Sequence, residues 1–226
     1  MPIGLLLSDK APNFEANTTV THIGFHSFVG DSWGIHFSHP WDFTPVCTTE
    51  LGRVAKLAQE FAKRNVQLIV LSIDSTEDHF AWSKDLNAHS GGEPTGKLPF
   101  PIICDKNRDL AILLSMLDPA EKDKKCIPVI AHVKLKLSIL YLADRNFDEI
   151  LRVVISLQLT AEKRVAIPID WKDGDSVMVL PSIHEEEAKK LFPKGVFTKE
   201  LPSGKKSLYY ALQPYVRDAE AVAVPQ

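Results

Sequence analysis

The chain has few cysteines, little excess charge and no long apolar run. Its three cysteines are widely spaced and form no Cys-x-x-Cys pair, which argues against a disulfide framework and against a zinc site. A formal net charge of −3 argues against a nucleic-acid-binding protein, since such proteins are usually basic. No apolar stretch approaches the roughly 20 residues of a membrane-spanning helix, and the first residues lack the basic region of a signal peptide. We therefore expect a protein of a reducing compartment, most simply the cytosol, without integral membrane association.

The chain does contain an alternation of apolar runs and amphipathic segments over its first two thirds. Val66–Ile73 is β-branched and nearly uncharged, as the central strands of parallel sheets are. Ser75-Thr76-Glu77-Asp78 resembles a capping box that opens a helix reaching about Leu86. This alternation predicts an α/β sandwich built on a mostly parallel sheet. The other predicted strands are Gly34–Ser38, Phe100–Ile103 and Lys134–Tyr141, and the other predicted helices are Thr48–Arg64, Arg108–Leu117 and Asn146–Leu159.

The composition changes near Thr160, beyond which the chain is richer in proline, lysine and glycine. This change predicts a first domain over residues 1–160 and a smaller second domain over residues 161–226. Within the second domain, Asp173-Gly174 predicts a turn and Glu185–Leu191 predicts a short helix. From about residue 210 onward the composition predicts a disordered tail.

Cys47 is the residue that most constrains the chemistry. It lies between the predicted strand Gly34–Ser38 and a predicted helix, and helix N-termini favour an anion, so a thiolate is stabilised there. Thr44 supplies a hydroxyl one turn upstream. A lone cysteine is by default a packing residue, but packing requires neither this hydroxyl nor a helix N-terminus. Cys104 and Cys126 have no comparable activating context.

The motif Pro40-x-x-x-Thr44-x-x-Cys47 resembles the signature of the peroxiredoxin family, and its flanking residues resemble the one-cysteine branch of that family. The resemblance runs from the first residue to about Lys206, which is too extensive for chance. Further similar segments are Pro12-Asn13-Phe14-Glu15-Ala16, Gly30-Asp31-Ser32-Trp33-Gly34, Leu110-Ala111-Ile112-Leu113 and Lys194-Gly195-Val196-Phe197-Thr198-Lys199-Glu200.

This resemblance implies a thioredoxin-like fold with a C-terminal α+β dimerisation module, and hence a homodimer. It also implies reduction of hydrogen peroxide and of organic and phospholipid hydroperoxides. In that reaction the Cys47 thiolate attacks the terminal peroxide oxygen and becomes a sulfenic acid. By the same resemblance, Thr44 and the Cys47 N–H hydrogen-bond the reacting groups, Pro40 shields the site from water, and His39 lies near the sulfur.

The family resemblance implies no bound cofactor for this chemistry. No partner cysteine is placed to resolve the sulfenic acid, so an external thiol must complete the cycle. In this family that thiol is glutathione, used as a co-substrate and delivered with a glutathione transferase. The resemblance adds the lysosome to the cytosol as an expected location.

A second motif, Gly30-Asp31-Ser32-Trp33-Gly34, fits Gly-x-Ser-x-Gly. A nucleophile elbow needs a strand before the serine and a helix after it, whereas here a strand follows, so a turn serine is the favoured interpretation. The one-cysteine peroxiredoxin that this chain resembles is also described as an acidic phospholipase A2, and Ser32 and His26 match two members of the proposed triad. The third member is an aspartate in a Gly-Pro-Asp hairpin turn.

The chain departs from the family pattern after Pro128. The family has a β-hairpin there, but most of its first strand and its Gly-Pro-Asp turn are absent, so the phospholipase aspartate is missing. The first active-site arginine of the family aligns with His132, and a neutral imidazole does not replace a fixed guanidinium. Arg145 matches the second active-site arginine. We expect residues 129–141 to form one continuous or kinked strand.

Two smaller departures lie near the cysteine motif, where Trp41 replaces a family arginine and His36 occupies a usually apolar strand position. The departures leave three hypotheses. The first is a thiol peroxidase with activity below the family norm. The second is a diverged dimerising or binding module with lost or weak activity. The third, and the least favoured, is a phospholipase A2-type hydrolase using Ser32 and His26.

Overall fold

The computed structural model of the chain describes residues 10–93, 95, 97–122, 128–130, 146–199, 202 and 208–214. The chain forms two compact units, Met1–Arg145 and Asn146–Gln226. The first unit contains, in chain order, β1 (Glu15–Asn17), β2 (His22–Gly24), α1 (Phe25–Val29), β3 (Trp33–Ser38), α2 (Pro45–Lys63), β4 (Val66–Ser72), α3 (Thr76–Ser90), β5 (Ile102–Cys104), α4 (Asp109–Leu113), β6 (Leu117–Lys122) and β7 (Pro128–Ile130).

The centre of the first unit is a parallel sheet in the order β3-β4-β5. Ile35 pairs with Leu68, and Val70 pairs with Ile102, so the apolar runs identified in the sequence lie side by side. Every residue of β4 except Gln67 is buried, as expected for a strand covered on both faces. The predicted parallel sheet is therefore confirmed. One apolar core of this unit consists of Phe14, Ala16, Ile69, Leu71, Ile103, Ala111, Leu114 and Met116.

Helix α3 begins with the predicted capping box. The Ser75 hydroxyl accepts a hydrogen bond from the Asp78 N–H, and the Asp78 carboxylate accepts one from the Ser75 N–H. The helix ends at Ser90 because Gly91 adopts the left-handed conformation that suits glycine, with φ 81°. Four of the five buried residues of α3, namely His79, Trp82, Ser83 and Leu86, recur at helical spacing and form its inner face.

The region after β5 differs from the sequence-based prediction. A helix was predicted over Arg108–Leu117, but α4 ends at Leu113, and Leu117 begins strand β6. Ser115 has φ 54°, a left-handed conformation that a helix cannot contain, so the apolar pattern continues while the helix does not. Strand β6 pairs with β7 in an antiparallel manner. The predicted single strand over residues 129–141 lies outside the described residues beyond Ile130.

The second unit is an α+β assembly containing α5 (Phe147–Lys163), β8 (Val165–Ala166), β9 (Val177–Val179), α6 (Glu185–Leu191), β10 (Val196–Thr198) and β11 (Tyr209–Ala211). Its strands form an antiparallel sheet in the order β10-β11-β9-β8. The predicted short helix Glu185–Leu191 matches α6. The core of this unit consists of Ile155, Leu159, Val165, Trp171, Val177, Val179, Ile183, Ala188, Phe192 and Ala211.

Two positions in this unit differ from the expected organisation. The composition change predicted a boundary near Thr160, but the units divide before α5. Ile155 and Leu159 of α5 pack into the core of the second unit, so this helix belongs to the second unit. Strand β11 occupies the positions at which the disordered tail was predicted to begin, since Ala211 is buried between paired strands. No helix in the described part of the chain is long and apolar enough to cross a membrane.

Candidate active site

Cys47 is the third residue of α2, and only 1% of its surface is exposed. The helix begins at Pro45 with Thr44 as N-cap, so the predicted start at Thr48 was too late. Proline suits the first helical position because that position needs no N–H donor. Cys47 therefore lies in the first turn of a 19-residue helix, where unsatisfied N–H groups and the helix dipole favour an anion.

Residues 40–47, here called the Cys47 turn, lead from β3 into this helix. Pro40 is buried, and the Thr44 hydroxyl donates a hydrogen bond to the Trp41 carbonyl oxygen at 3.3 Å. The Thr48 hydroxyl donates to the Thr44 carbonyl oxygen at 2.8 Å. Pro40, Thr44 and Cys47 thus lie around one helix start, and the roles assigned to them in the reaction stay predictions.

Phe43 gives the Cys47 turn a strained backbone. Its φ of 54° lies in the left-handed region, which is costly for a bulky residue. Such a conformation persists only when its surroundings hold it in place, and it is enriched at functional sites. The Phe43 ring lies 6.4 Å from the ring of Trp82 on α3, measured between centroids. The turn is therefore held from the side of α3 as well as by its own hydrogen bonds.

The sequence-predicted residue His39 belongs to a buried cluster with Asp42 and His79. His39 Nε2 lies 2.8 Å from Asp42 Oδ1, and His79 Nδ1 lies 2.6 Å from Asp42 Oδ2. At most 1% of each of these three side chains is exposed. An ionised carboxylate only accepts hydrogen bonds, so each imidazole donates to Asp42, which fixes the proton at His39 Nε2 and at His79 Nδ1.

Electrostatics favour the ionised form of Asp42. Burial raises the pKa of Asp42, but the hydrogen bonds and charges of His39 and His79 outweigh burial, so the pKa lies below its ordinary value of 3.8. The Asp42 N–H donates to Asp74 Oδ2 at 2.6 Å. Burial raises the pKa of Asp74 despite this hydrogen bond. The cluster thus contains a buried carboxylate whose charge two imidazoles offset.

Trp82 joins this cluster to the first turn of α2. Its indole N–H donates to the Thr48 hydroxyl at 3.1 Å, and its ring centroid lies 4.9 Å from that of His39. The surface of Trp82 is fully buried. Two side chains of α3, His79 and Trp82, therefore hold the Cys47 turn and the helix that follows it.

Ser32 and His26 have a different arrangement. The Ser32 hydroxyl donates to Asn65 Oδ1 at 2.7 Å, and His26 Nε2 donates to the Ala11 carbonyl oxygen at 2.8 Å. Neither residue hydrogen-bonds the other in the described part of the chain. Ser32 precedes strand β3, as the sequence predicted, so it is not at a strand-to-helix elbow.

The remaining predicted residues divide between the described and undescribed parts of the chain. His132, Arg145 and Cys126 lie outside the described residues. Cys47 and Cys104 are both thiols, and Cys104 ends β5 as predicted. Within the described ranges, no group of three His, Cys, Asp or Glu side chains has an arrangement that suits a metal ion.

The sequence analysis missed Asp42, His79 and Trp82 as parts of the site. Asp42 lies inside the recognised motif, but nothing in the sequence pairs it with His79 on another element. The available signal was the helical spacing of His79 with Trp82 and Leu86, which places a histidine on the buried face of α3.

The chain is similar to known protein families and to known proteins over most of its length. The AhpC/TSA family matches residues 7–140, and the C-terminal domain of 1-Cys peroxiredoxin matches residues 156–195. The chain is 77% identical to Peroxiredoxin-6 of Homo sapiens over 224 residues, which cover 95% of this chain and all of that protein. It is 69% identical to Peroxiredoxin-6 of Gallus gallus, with 93% and 99% of the two chains covered.

Two solved structures resemble the chain over most of its length. A cysteine-to-serine mutant of the peroxiredoxin 6 of Arenicola marina matches with a TM-score of 0.84 and 50% identity, covering 94% of this chain and 100% of that chain. A yeast mitochondrial 1-Cys peroxiredoxin, described with thiol resolution via glutathione/thioredoxin systems, matches with a TM-score of 0.72 and 38% identity, covering 92% and 99%.

The parallel sheet with its helices, together with the family and structure matches, shows a peroxidase of thioredoxin-like fold. The family matches narrow this class. The chain belongs to the one-cysteine peroxiredoxins, so the resemblance and the fold expected from the sequence are confirmed.

Proposed function

We propose that Cys47 is the sulfur that reduces peroxide in this enzyme. The observation that carries the proposal is the position of Cys47, buried in the first turn of α2 behind the turn that contains Pro40 and Thr44. There the helix N-terminus favours the thiolate, which is the nucleophilic form of cysteine. In this proposal the Thr44 hydroxyl, three residues before Cys47 in the motif, exchanges its long hydrogen bond to Trp41 for one to the peroxide.

The reaction with a hydroperoxide ROOH has two parts. The Cys47 thiolate attacks the terminal peroxide oxygen, an S–O bond forms, and the O–O bond breaks. The sulfur is oxidised to sulfenic acid, the peroxide is reduced, and the alkoxide RO⁻ leaves and takes up one proton to give ROH. The Thr44 hydroxyl and the N–H groups of the first turn of α2 orient the peroxide and stabilise the charge that moves onto its oxygens.

Glutathione regenerates the thiol in this proposal. One glutathione thiol condenses with the sulfenic acid, releasing water and forming a mixed disulfide, and a second releases Cys47 and leaves as part of oxidised glutathione. The yeast relative whose thiol resolution is described via glutathione/thioredoxin systems supports an external thiol. No bound cofactor takes part.

The substrates proposed are hydrogen peroxide and organic and phospholipid hydroperoxides. Three apolar side chains of the Cys47 turn are exposed: Trp41 at 39%, Phe43 at 55% and Val46 at 47%. An apolar rim beside the reacting sulfur favours substrates with hydrocarbon chains. Cumene hydroperoxide should therefore be reduced at least as fast as hydrogen peroxide. A Trp41→Arg variant should lower the ratio of the cumene hydroperoxide rate to the hydrogen peroxide rate.

The direct test follows peroxide loss with glutathione present. The chain and a Cys47→Ser variant are compared, with Cys104→Ser as the matched control because Cys104 is the other described thiol. We expect Cys47→Ser to abolish peroxide loss and Cys104→Ser to retain it. Equal rates in the chain and Cys47→Ser would refute the proposal. A cooperatively melting protein that consumes no peroxide would favour a diverged binding module instead.

The activity is proposed to be below that of family members that carry an arginine at the position of His132. A guanidinium holds a fixed positive charge, whereas imidazole is mostly neutral at pH 7. The variant His132→Arg should therefore raise the rate of peroxide reduction. A homodimer is proposed from the family resemblance, and sedimentation velocity of the chain at several concentrations tests it.

A further inference from the structure

The His39–Asp42–His79 cluster connects the Cys47 turn to α3. Asp42 lies within the turn, His39 lies just before it, and His79 lies on the inner face of α3. Both carboxylate oxygens of Asp42 are used, one by each imidazole, at 2.8 Å and 2.6 Å. Hydrogen bonds to a buried ionised group are stronger than neutral ones and fix geometry as well as charge.

His39 is held on three sides. Its Nε2 donates to Asp42, its ring lies against Trp82, and its backbone N–H donates to the Leu71 carbonyl oxygen at 3.1 Å. The carboxylate of Asp42 in turn depends on His79 for its second hydrogen bond. Removing His79 would therefore leave one buried oxygen of Asp42 without its donor and loosen the orientation of His39.

The backbone of the turn also requires support. Phe43, next to Asp42, has the left-handed φ of 54°, and this conformation persists only if its neighbours are fixed. Asp42 is fixed through its carboxylate by the two imidazoles and through its N–H by Asp74. Asp42, the residue next to the strained Phe43, is thus held in place by hydrogen bonds to His39, His79 and Asp74.

We propose that Asp42 and His79 are positioning residues for the reaction of Cys47: together they fix the ring of His39 and clamp the Cys47 turn onto α3. This inference rests on the proposed role of Cys47 as the reacting sulfur. Neither residue touches the peroxide. Both act through His39 and through the backbone of the turn.

The proposal has an electrostatic consequence. The carboxylates that face the cluster are Asp74, after β4, and Asp78, in the first turn of α3. With His79 in place, the negative charge of Asp42 is offset by two imidazole donors. Without His79 that charge is less compensated, and because Asp42 lies in the turn that ends at Cys47, the added negative charge disfavours the thiolate. Loss of His79 should therefore move the pH midpoint of Cys47 reactivity upward.

The experiment measures alkylation of Cys47 by iodoacetamide as a function of pH. The parent is the Cys104→Ser, Cys126→Ser double variant, in which Cys47 is the one cysteine remaining of the three in the sequence. The variants are His79→Leu, which removes the donor, and His79→Asn, whose amide N–H replaces the imidazole Nδ1–H. The control is His89→Leu, because His89 is also on α3 but is exposed. Thermal melting is recorded for each.

We expect His79→Leu to slow alkylation at neutral pH by about tenfold, the size expected for loss of one hydrogen bond to a charged group, and to raise the pH midpoint. His79→Asn and His89→Leu should stay close to the parent. If His79→Leu does not fold, His79→Gln replaces it, since its longer side chain misplaces the donor.

Two results would overturn the proposal. One is a lowered melting temperature of His79→Leu with an unchanged pH profile, which would make His79 only a packing residue. The other is a His79→Asn profile as altered as that of His79→Leu. Alkylation requires no peroxide. A parent that alkylates normally but consumes no peroxide would therefore refute the proposed function, and the alkylation profiles of the His79 variants would still test the positioning role.

Discussion

The Cys47 turn and the segment around Ser32 lie in the same unit of the molecule but differ in how their polar side chains are connected. Around Cys47, side chains from the turn and from α3 form a buried network through His39, Asp42 and His79. Around Ser32, the hydroxyl binds a neighbouring asparagine, and His26 binds a backbone carbonyl. His39 and His79 thus both bind Asp42, whereas Ser32 and His26 bind separate partners among the described residues.

The largest effect should come from breaking the buried network itself. Asp42→Ala removes the acceptor of two buried imidazoles, so the free energy of unfolding should fall by about 3 kcal/mol. Urea unfolding measures the change. The control is Glu60→Ala, because Glu60 pairs with Lys63 and Arg64 at the surface and should contribute less than about 1 kcal/mol. Equal costs for the two variants would show that the network does not stabilise this region.

A second variant addresses the reaction at Cys47. Thr44→Val removes the hydroxyl at the helix start, and the rate of peroxide reduction should fall by about a hundredfold, as when one preorganised donor is lost. Thr44→Ser should keep most of the rate. Thr49→Val is the control, since the Thr49 hydroxyl is exposed and donates to the Val46 carbonyl oxygen at 2.8 Å. Similar rates for Thr44→Val and Thr49→Val would remove Thr44 from the mechanism.

A third prediction concerns acid stability and uses His36 in β3. Burial lowers the pKa of His36 from 6.5 to about 4. Below pH 6.5 the His36 imidazole is protonated in the unfolded chain but stays neutral in the folded chain. His36 therefore lowers the free energy of unfolding as the pH drops from 6.5 toward 4. His36→Leu should flatten the melting temperature over this interval. The exposed His22 provides the control, and a His36→Leu curve parallel to that of His22→Leu would contradict the prediction.

The smallest effect is expected at the other segment. Ser32→Ala removes one hydrogen bond to Asn65, and the free energy of unfolding should change by no more than about 0.5 kcal/mol. Peroxide reduction should be unchanged. The measurement that would revive the hydrolase hypothesis is release of fatty acid from a phospholipid that disappears in Ser32→Ala.

Much of the fold follows from local signals in the sequence. The uncharged run Val66–Ile73 predicted a central strand, and the capping box at Ser75 predicted the start of α3. The prediction of a helix over Arg108–Leu117 was wrong because the apolar pattern continues past the end of α4. The helix cannot continue through the left-handed Ser115, and no glycine or proline marks that position in the sequence. Backbone conformation at a single residue was enough to turn a predicted helix into a helix followed by a strand.

The candidate site was predictable only in part, for a different physical reason. Pro40, Thr44 and Cys47 lie within one short motif, so spacing alone brings them together. Asp42 and His79 are joined across two elements, and no local pattern encodes that pairing. A tertiary hydrogen bond of this kind depends on how α3 packs against its neighbours. The sequence indicates that packing only through the spacing of the buried residues on α3.

The fluorescence of Trp82 also reports on the Cys47 turn. Of the four tryptophans, Trp33 and Trp41 are exposed and accessible to iodide, whereas Trp82 and Trp171 are buried. Quenching the first pair leaves the second, and Trp171→Phe then isolates the emission of Trp82. Its indole touches Thr48, the neighbour of Cys47, and the ring of His39. We expect oxidation of Cys47 to change the emission of this indole, which stopped-flow fluorescence would measure.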